Sequence, residues 1–98
     1  MKVAEIARDV LAPMVASGKA TDEEIQLMQT KEYSKEHFHL NYPILLKINK
    51  GETRPIRYYL KPIIKIGETE YYLCSEWYEK PGTNNDRPYL LKWIADHQ

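Results

Sequence analysis

Apolar residues recur at helical spacing along residues 2 to 16, where Val3, Ile6, Ala7, Val10, Leu11 and Met14 make one stripe. The spacing predicts a first helix there, weakened at Pro13 and ended by Ser17-Gly18. Thr21-Asp22-Glu23-Glu24 then has the form of a capping box: Thr21 accepts from the amide of Glu24, Glu24 reaches back, and the extra acids suit the positive helix end. A short second helix runs from about Asp22 to Thr30, with Ile25, Leu27 and Met28 as its buried positions. Ser34 offers another start signal, with Glu36 in the first turn and Phe38 as a core anchor, and Asn41-Tyr42-Pro43 stops the third helix.

After Pro43 the period shifts towards two. Ile44–Ile48 is a short apolar run that fits a strand or a helix, and Asn49-Lys50-Gly51-Glu52 is a turn signal. Ile56, Tyr58 and Leu60 then alternate with Arg57 and Tyr59, and Pro62 places this strand at an edge or a bend. Ile63–Ile66, Gly67-Glu68 and Glu70–Tyr78 read as a β-hairpin, with Tyr71, Leu73, Ser75 and Trp77 on one face and Tyr72, Cys74, Glu76 and Tyr78 on the other. Residues 81 to 85 read as a loop, and Asp86 caps a last helix with Pro88 in its first turn. Leu90, Trp93 and Ile94 would pack that helix onto the sheet. Together with Ile25, Phe38, Leu73 and Trp77 they form the expected core.

The chain has 98 residues, enough for one core and one domain spanning 1–98. The predicted fold is α+β: three N-terminal helices, an antiparallel hairpin or three-stranded sheet, and a C-terminal helix. No apolar run approaches a membrane span, the charged N-terminal stretch does not fit a signal peptide, and Cys74 is the only cysteine; a cytoplasmic protein with no membrane partner is the simplest expectation. Cys74 lies in a strand-like run, where a cysteine acts as a small buried hydrophobe.

Formal charge sums to zero, with 14 basic and 14 acidic residues, but it is unevenly distributed. Residues 47 to 65 hold Lys47, Lys50, Arg54, Arg57, Lys61 and Lys65 against Glu52 alone. Such a stripe attracts a polyanion or an acidic protein surface, or is simply a solvated strand face. Tyr58, Tyr59, Tyr71 and Tyr72 lie near it in sequence and could stack on bases, although strands favour tyrosine for packing alone.

Enzymatic chemistry has little to stand on. His37 and His39 are two residues apart, so on a helix their imidazoles diverge, and no nearby Cys or second carboxylate completes a metal set. The four glycines are scattered, and Ser34 and Ser75 lack a nucleophile signature. A non-enzyme without cofactor or metal is expected.

The helix–helix–helix–hairpin order resembles a winged helix-turn-helix over Thr21 to Tyr78, carried by "TDEEIQLMQTKEYSKEHFHLNYP" and "IIKIGETEYYLCSEW". "KEYSKEHFHLNYPIL", "YYLCSEWYE" and "RPYLLKWI" are similar to small bacterial modules, some attached to larger proteins. The winged-helix resemblance implies DNA binding: a recognition helix in the major groove bearing Lys35, Glu36, His37 and His39, with the basic strand segment and a wing at Gly67–Glu70 against the backbone. The alternatives are a protein–protein interaction module and an accessory domain of a larger bacterial protein. Neither the partner nor the oligomeric state follows from the sequence.

Overall fold

The computed structural model describes residues 1–53 and 55–98. Helical structure comes first, as α1 (Val3–Ile6), a π-helical segment (Ala7–Leu11), α2 (Ala12–Ala16), α3 (Asp22–Leu27) and α4 (Lys31–Phe38). Strands β1 (Leu45–Lys47), β2 (Tyr58–Ile66) and β3 (Thr69–Cys74) follow, then a small hairpin of β4 (Glu79–Lys80) and β5 (Asn84–Asn85), and finally α5 (Arg87–Asp96). The fold is α+β, with a three-stranded antiparallel sheet and a helix after it. Four α-helical segments, rather than three helices, precede the sheet.

The first expected helix is divided because of Pro13. Proline cannot donate to a carbonyl one turn back, and its ring crowds that carbonyl. The π segment widens the turn just ahead of it, with the Ala12 N–H donating to the Ala7 carbonyl five residues back. The stripe therefore continues inward on both sides of the irregularity, and Val3, Ile6, Ala7, Leu11, Ala12 and Val15 are all buried.

The capping box forms as expected: Thr21 Oγ1 accepts from Glu24 N at 3.1 Å and Glu24 Oε1 accepts from Thr21 N at 2.9 Å. The helix it starts ends at Leu27 rather than Thr30, and Leu27 faces solvent instead of the core. Thr30 takes the role expected of Ser34. Its Oγ1 accepts from Tyr33 N and donates to the Leu27 carbonyl, so one hydroxyl joins two helix ends. Ser34 is buried inside α4, and its Oγ accepts from Ile44 N at 2.7 Å, which fixes the chain leading into β1. His39 ends α4 in the left-handed conformation, with φ of 62°.

The sheet order is β1-β3-β2, with Leu45 opposite Leu73, Lys47 opposite Tyr71, and Ile64 also opposite Tyr71. Pro62 lies on the outer strand β2, as its missing N–H requires, and the register shifts between Tyr58 and Ile63. The β2–β3 turn puts Gly67 at its first central position with φ of 61°, where a side chain would be strained. β3 ends at Cys74 rather than reaching Tyr78. The chain beyond turns into the β4–β5 hairpin where a loop was expected.

Core residues expected from the pattern are all buried: Ile25, Phe38, Leu73, Trp77, Leu90, Trp93 and Ile94. Helix α2 lies against β2 and α5 against α4. Phe38 is the hub, with its ring edge-on to Trp77 at 6.1 Å and tilted against Trp93 at 5.7 Å. Cys74 is wholly buried, and burial pushes its thiol up to about 11. Among the described residues, no helix is long and apolar enough to cross a membrane.

Candidate functional site

Among the described residues, the basic segment does not assemble on one surface. Lys47 shares its register position with Tyr71 and Ile64, whereas Lys65 lies opposite Glu70, one residue along β3 and therefore on the other face of the sheet. Arg57, just ahead of β2, is already engaged: its Nη1 donates to Glu76 Oε1 at 2.7 Å, and its guanidinium lies over the Tyr42 ring at 4.6 Å. Lys47, Lys50, Lys61 and Lys65 are exposed. Arg54 lies outside the described residues.

The helix-borne candidates are also held within the fold. Lys35 Nζ donates to Asn41 Oδ1 at 3.1 Å. His37 rests against the Tyr33 ring, centroids 4.1 Å apart. His39 is tied to Asp86 through Nδ1 at 2.8 Å and stacks on Tyr89. Asp86 does not cap α5 as expected. Its carboxylate is 1 % exposed and spends Oδ1 on His39 and Oδ2 on the Tyr78 N–H at 2.8 Å, joining the end of α4 to the start of α5.

A larger concavity lies elsewhere, between α3, α4 and α5. It has a volume of about 570 Å³ and takes Thr21, Glu23, Glu24 and Leu27 from the first helix and its cap, Tyr33, Glu36 and His37 from the second, and Tyr89, Lys92, Trp93, Asp96 and His97 from the third. Four carboxylates line it against one lysine. Lys92 donates to Asp96 at 2.6 Å, which leaves the balance of the groove acidic.

One cluster organises this groove. The His97 ring lies flat on Trp93, centroids 3.6 Å apart and planes 11° off parallel. Its Nδ1 donates to the Trp93 carbonyl at 2.7 Å, and its Nε2 meets Glu24 Oε2 at 2.5 Å. A carbonyl only accepts, so Nδ1 carries a hydrogen and the Nε2–Oε2 contact holds another between its atoms. Glu24 thus uses one oxygen to cap α3 and the other to hold α5. Burial pushes the Glu24 carboxyl up, but the hydrogen bonds from His97 and Thr21 outweigh it and hold the group below its ordinary 4.5. Trp93 Nε1 donates to Tyr33 Oη at 3.1 Å, completing the floor.

The hydrophobic pattern does not point to this site: Glu24 reads as a cap and Trp93 as core, and each residue does a second job as well. The available signal was the i, i+4 spacing of Trp93 and His97, which stacks two rings on one helix face.

Chemically the groove can accept hydrogen-bond donors and cations. Both nitrogens of His97 are already committed, so the ring is not placed to take a proton from a substrate. Among the described residues, no group of three or more His, Cys, Asp or Glu could hold a metal ion. No protein-family model, curated protein or solved structure matches this chain.

Proposed function

We propose that the chain is a non-catalytic macromolecule-binding module of the cytoplasm whose partner is a protein, held at the groove between α3, α4 and α5. The observation that carries this reading is the acidic, aromatic-floored concavity of about 570 Å³, whose carboxylates suit a basic segment of another chain. The absence of a free nucleophile–base pair in the groove fits binding rather than turnover.

Nucleic-acid binding is the second reading, and its support is the exposure of Lys47, Lys50, Lys61 and Lys65. A winged-helix use of this topology would present α4 to the major groove and the β2–β3 turn to the backbone. Along α4, Lys31 and Lys35 are offset by Glu32 and Glu36, and the turn brings Glu68 and Glu70. Phosphates would meet a nearly neutral helix and an acidic wing.

Titration at low salt separates the two. The protein reading expects backbone amide shifts in α3, α4 and α5 with a basic peptide, and none with duplex or single-stranded oligonucleotides. Salt-dependent retardation of an oligonucleotide that weakens on neutralising Arg54 and Arg57 together would overturn it in favour of nucleic acid.

A further inference from the structure

We propose that the groove recognises the guanidinium of an arginine in a partner peptide, and that His97 occupies that place in the free protein. The inference rests on the protein-binding reading above and narrows it to one kind of side chain.

The motive is the way His97 is held. Its ring is a flat N–H donor laid on an aromatic face at 3.6 Å, with a carboxylate oxygen in reach of one N–H and a carbonyl in reach of the other. A guanidinium has the same requirements: it is planar, offers several N–H donors in its plane, stacks on aromatic faces and pairs with carboxylates through two parallel hydrogen bonds. An ammonium is compact and strongly hydrated, and it would leave the flat face of Trp93 uncovered.

His97 lies just beyond the last turn of α5, and the structure attaches its side chain through the Trp93 stack and the two hydrogen bonds. Rotation about its χ angles exposes Trp93 and frees Glu24 Oε2. Glu24 Oε1 stays on Thr21 N, so α3 keeps its cap while the other oxygen changes partner. Glu23 and Glu36 on the walls add attraction for a cation arriving from solvent.

Because His97 competes for the place, a bound arginine must first displace it, and apparent affinity falls by the fraction of protein in the closed form. Removing the imidazole should therefore tighten arginine binding, whereas removing the Glu24 charge should weaken it.

The test uses the full chain and three pentapeptides, of arginine, lysine and glutamate, with affinity from calorimetry and the Trp93 indole N–H followed by NMR. The expected order is arginine over lysine, with no binding of glutamate. His97→Ala should tighten the arginine peptide by about two- to fivefold, the range of a partly exposed ion pair. Glu24→Gln keeps a side chain able to cap α3 and should weaken the arginine peptide by about tenfold, the scale of one charged hydrogen bond. The indole N–H should shift with the arginine peptide in both the parent and His97→Ala. Equal binding of arginine and lysine, or no change in His97→Ala, would overturn the guanidinium inference while leaving a groove that binds basic protein segments. No binding of either basic peptide would remove the protein reading of the groove itself.

Discussion

Replacing Trp93 by alanine tests whether α5 is fixed by its aromatic contacts. Trp93 is 3 % exposed, covered on one side by His97 at 3.6 Å and packed against Phe38 at 5.7 Å, and its indole nitrogen holds Tyr33 at 3.1 Å. Truncating a buried tryptophan costs about 3 to 5 kcal/mol, from lost transfer energy plus the cavity left behind. The hydrogen bond adds little, because Tyr33 is only half-buried and its hydroxyl can turn to water. A domain of this length has about 5 to 15 kcal/mol in total, so the variant should lose about a fifth or more of its stability. At about 4 to 8 °C per kcal/mol, the melting midpoint should fall by at least about 12 °C, read by circular dichroism and checked by urea unfolding at an unchanged slope. An unaltered cooperative melt would mean that α5 does not pack through this face.

Asp86→Ala removes both the His39 and the Tyr78 bonds and should cost about 2 to 4 kcal/mol, and a double-mutant cycle with His39→Ala should give a coupling near 1 kcal/mol or above; additive losses would refute the link. Glu24 titrates below its ordinary 4.5 in the folded chain, so its stabilisation is complete above that pH and is lost as pH falls through the lower folded value. Glu24→Gln should accordingly flatten the acid limb of a stability–pH curve, and an unchanged limb would remove Glu24 as its cause. The Cys74 thiol runs the other way: raised from 9.0 to about 11, it leaves stability intact below pH 9.0 and erodes it between the two values. Cys74→Ala should lessen that alkaline loss, and the native thiol should resist alkylation at neutral pH; rapid labelling of folded protein would contradict its burial.

What the sequence revealed was whatever one side chain decides on its own. Thr21 and Glu24 lie three apart and cap the helix wherever it is placed, Pro62 cannot donate and so goes to the edge, and the buried set from Ile25 to Ile94 follows from spacing. What stayed hidden depended on distant partners. Ser34 has the chemistry of a cap, but the amide it serves belongs to Ile44 across the start of the sheet. Asp86 likewise looks like a cap, yet its acceptors go to His39, 47 residues away, and to Tyr78. The groove needed α3 and α5 side by side, and Glu24 and His97 are 73 residues apart. The run from Lys47 to Lys65 is contiguous in sequence, but strand alternation puts Lys47 and Lys65 on opposite faces of the sheet.

The π segment acts as a phase correction between two halves of one hydrophobic stripe. At about 3.6 residues per turn, an ordinary helix through all of Ala7–Leu11 would carry Ala12 and Val15 about 100° away from the face shared by Val3, Ile6 and Ala7. The wider turn takes up the extra residue, and Ala12 and Val15 stay 2 % and 1 % exposed in a helix packed on β2. Deleting Asp9, the exposed residue of that turn, should therefore leave both halves facing the core and place its cost on Pro13, returned to an ordinary helical turn at about 3 kcal/mol. A deletion in the exposed stretch 49 to 53 should pass almost unnoticed.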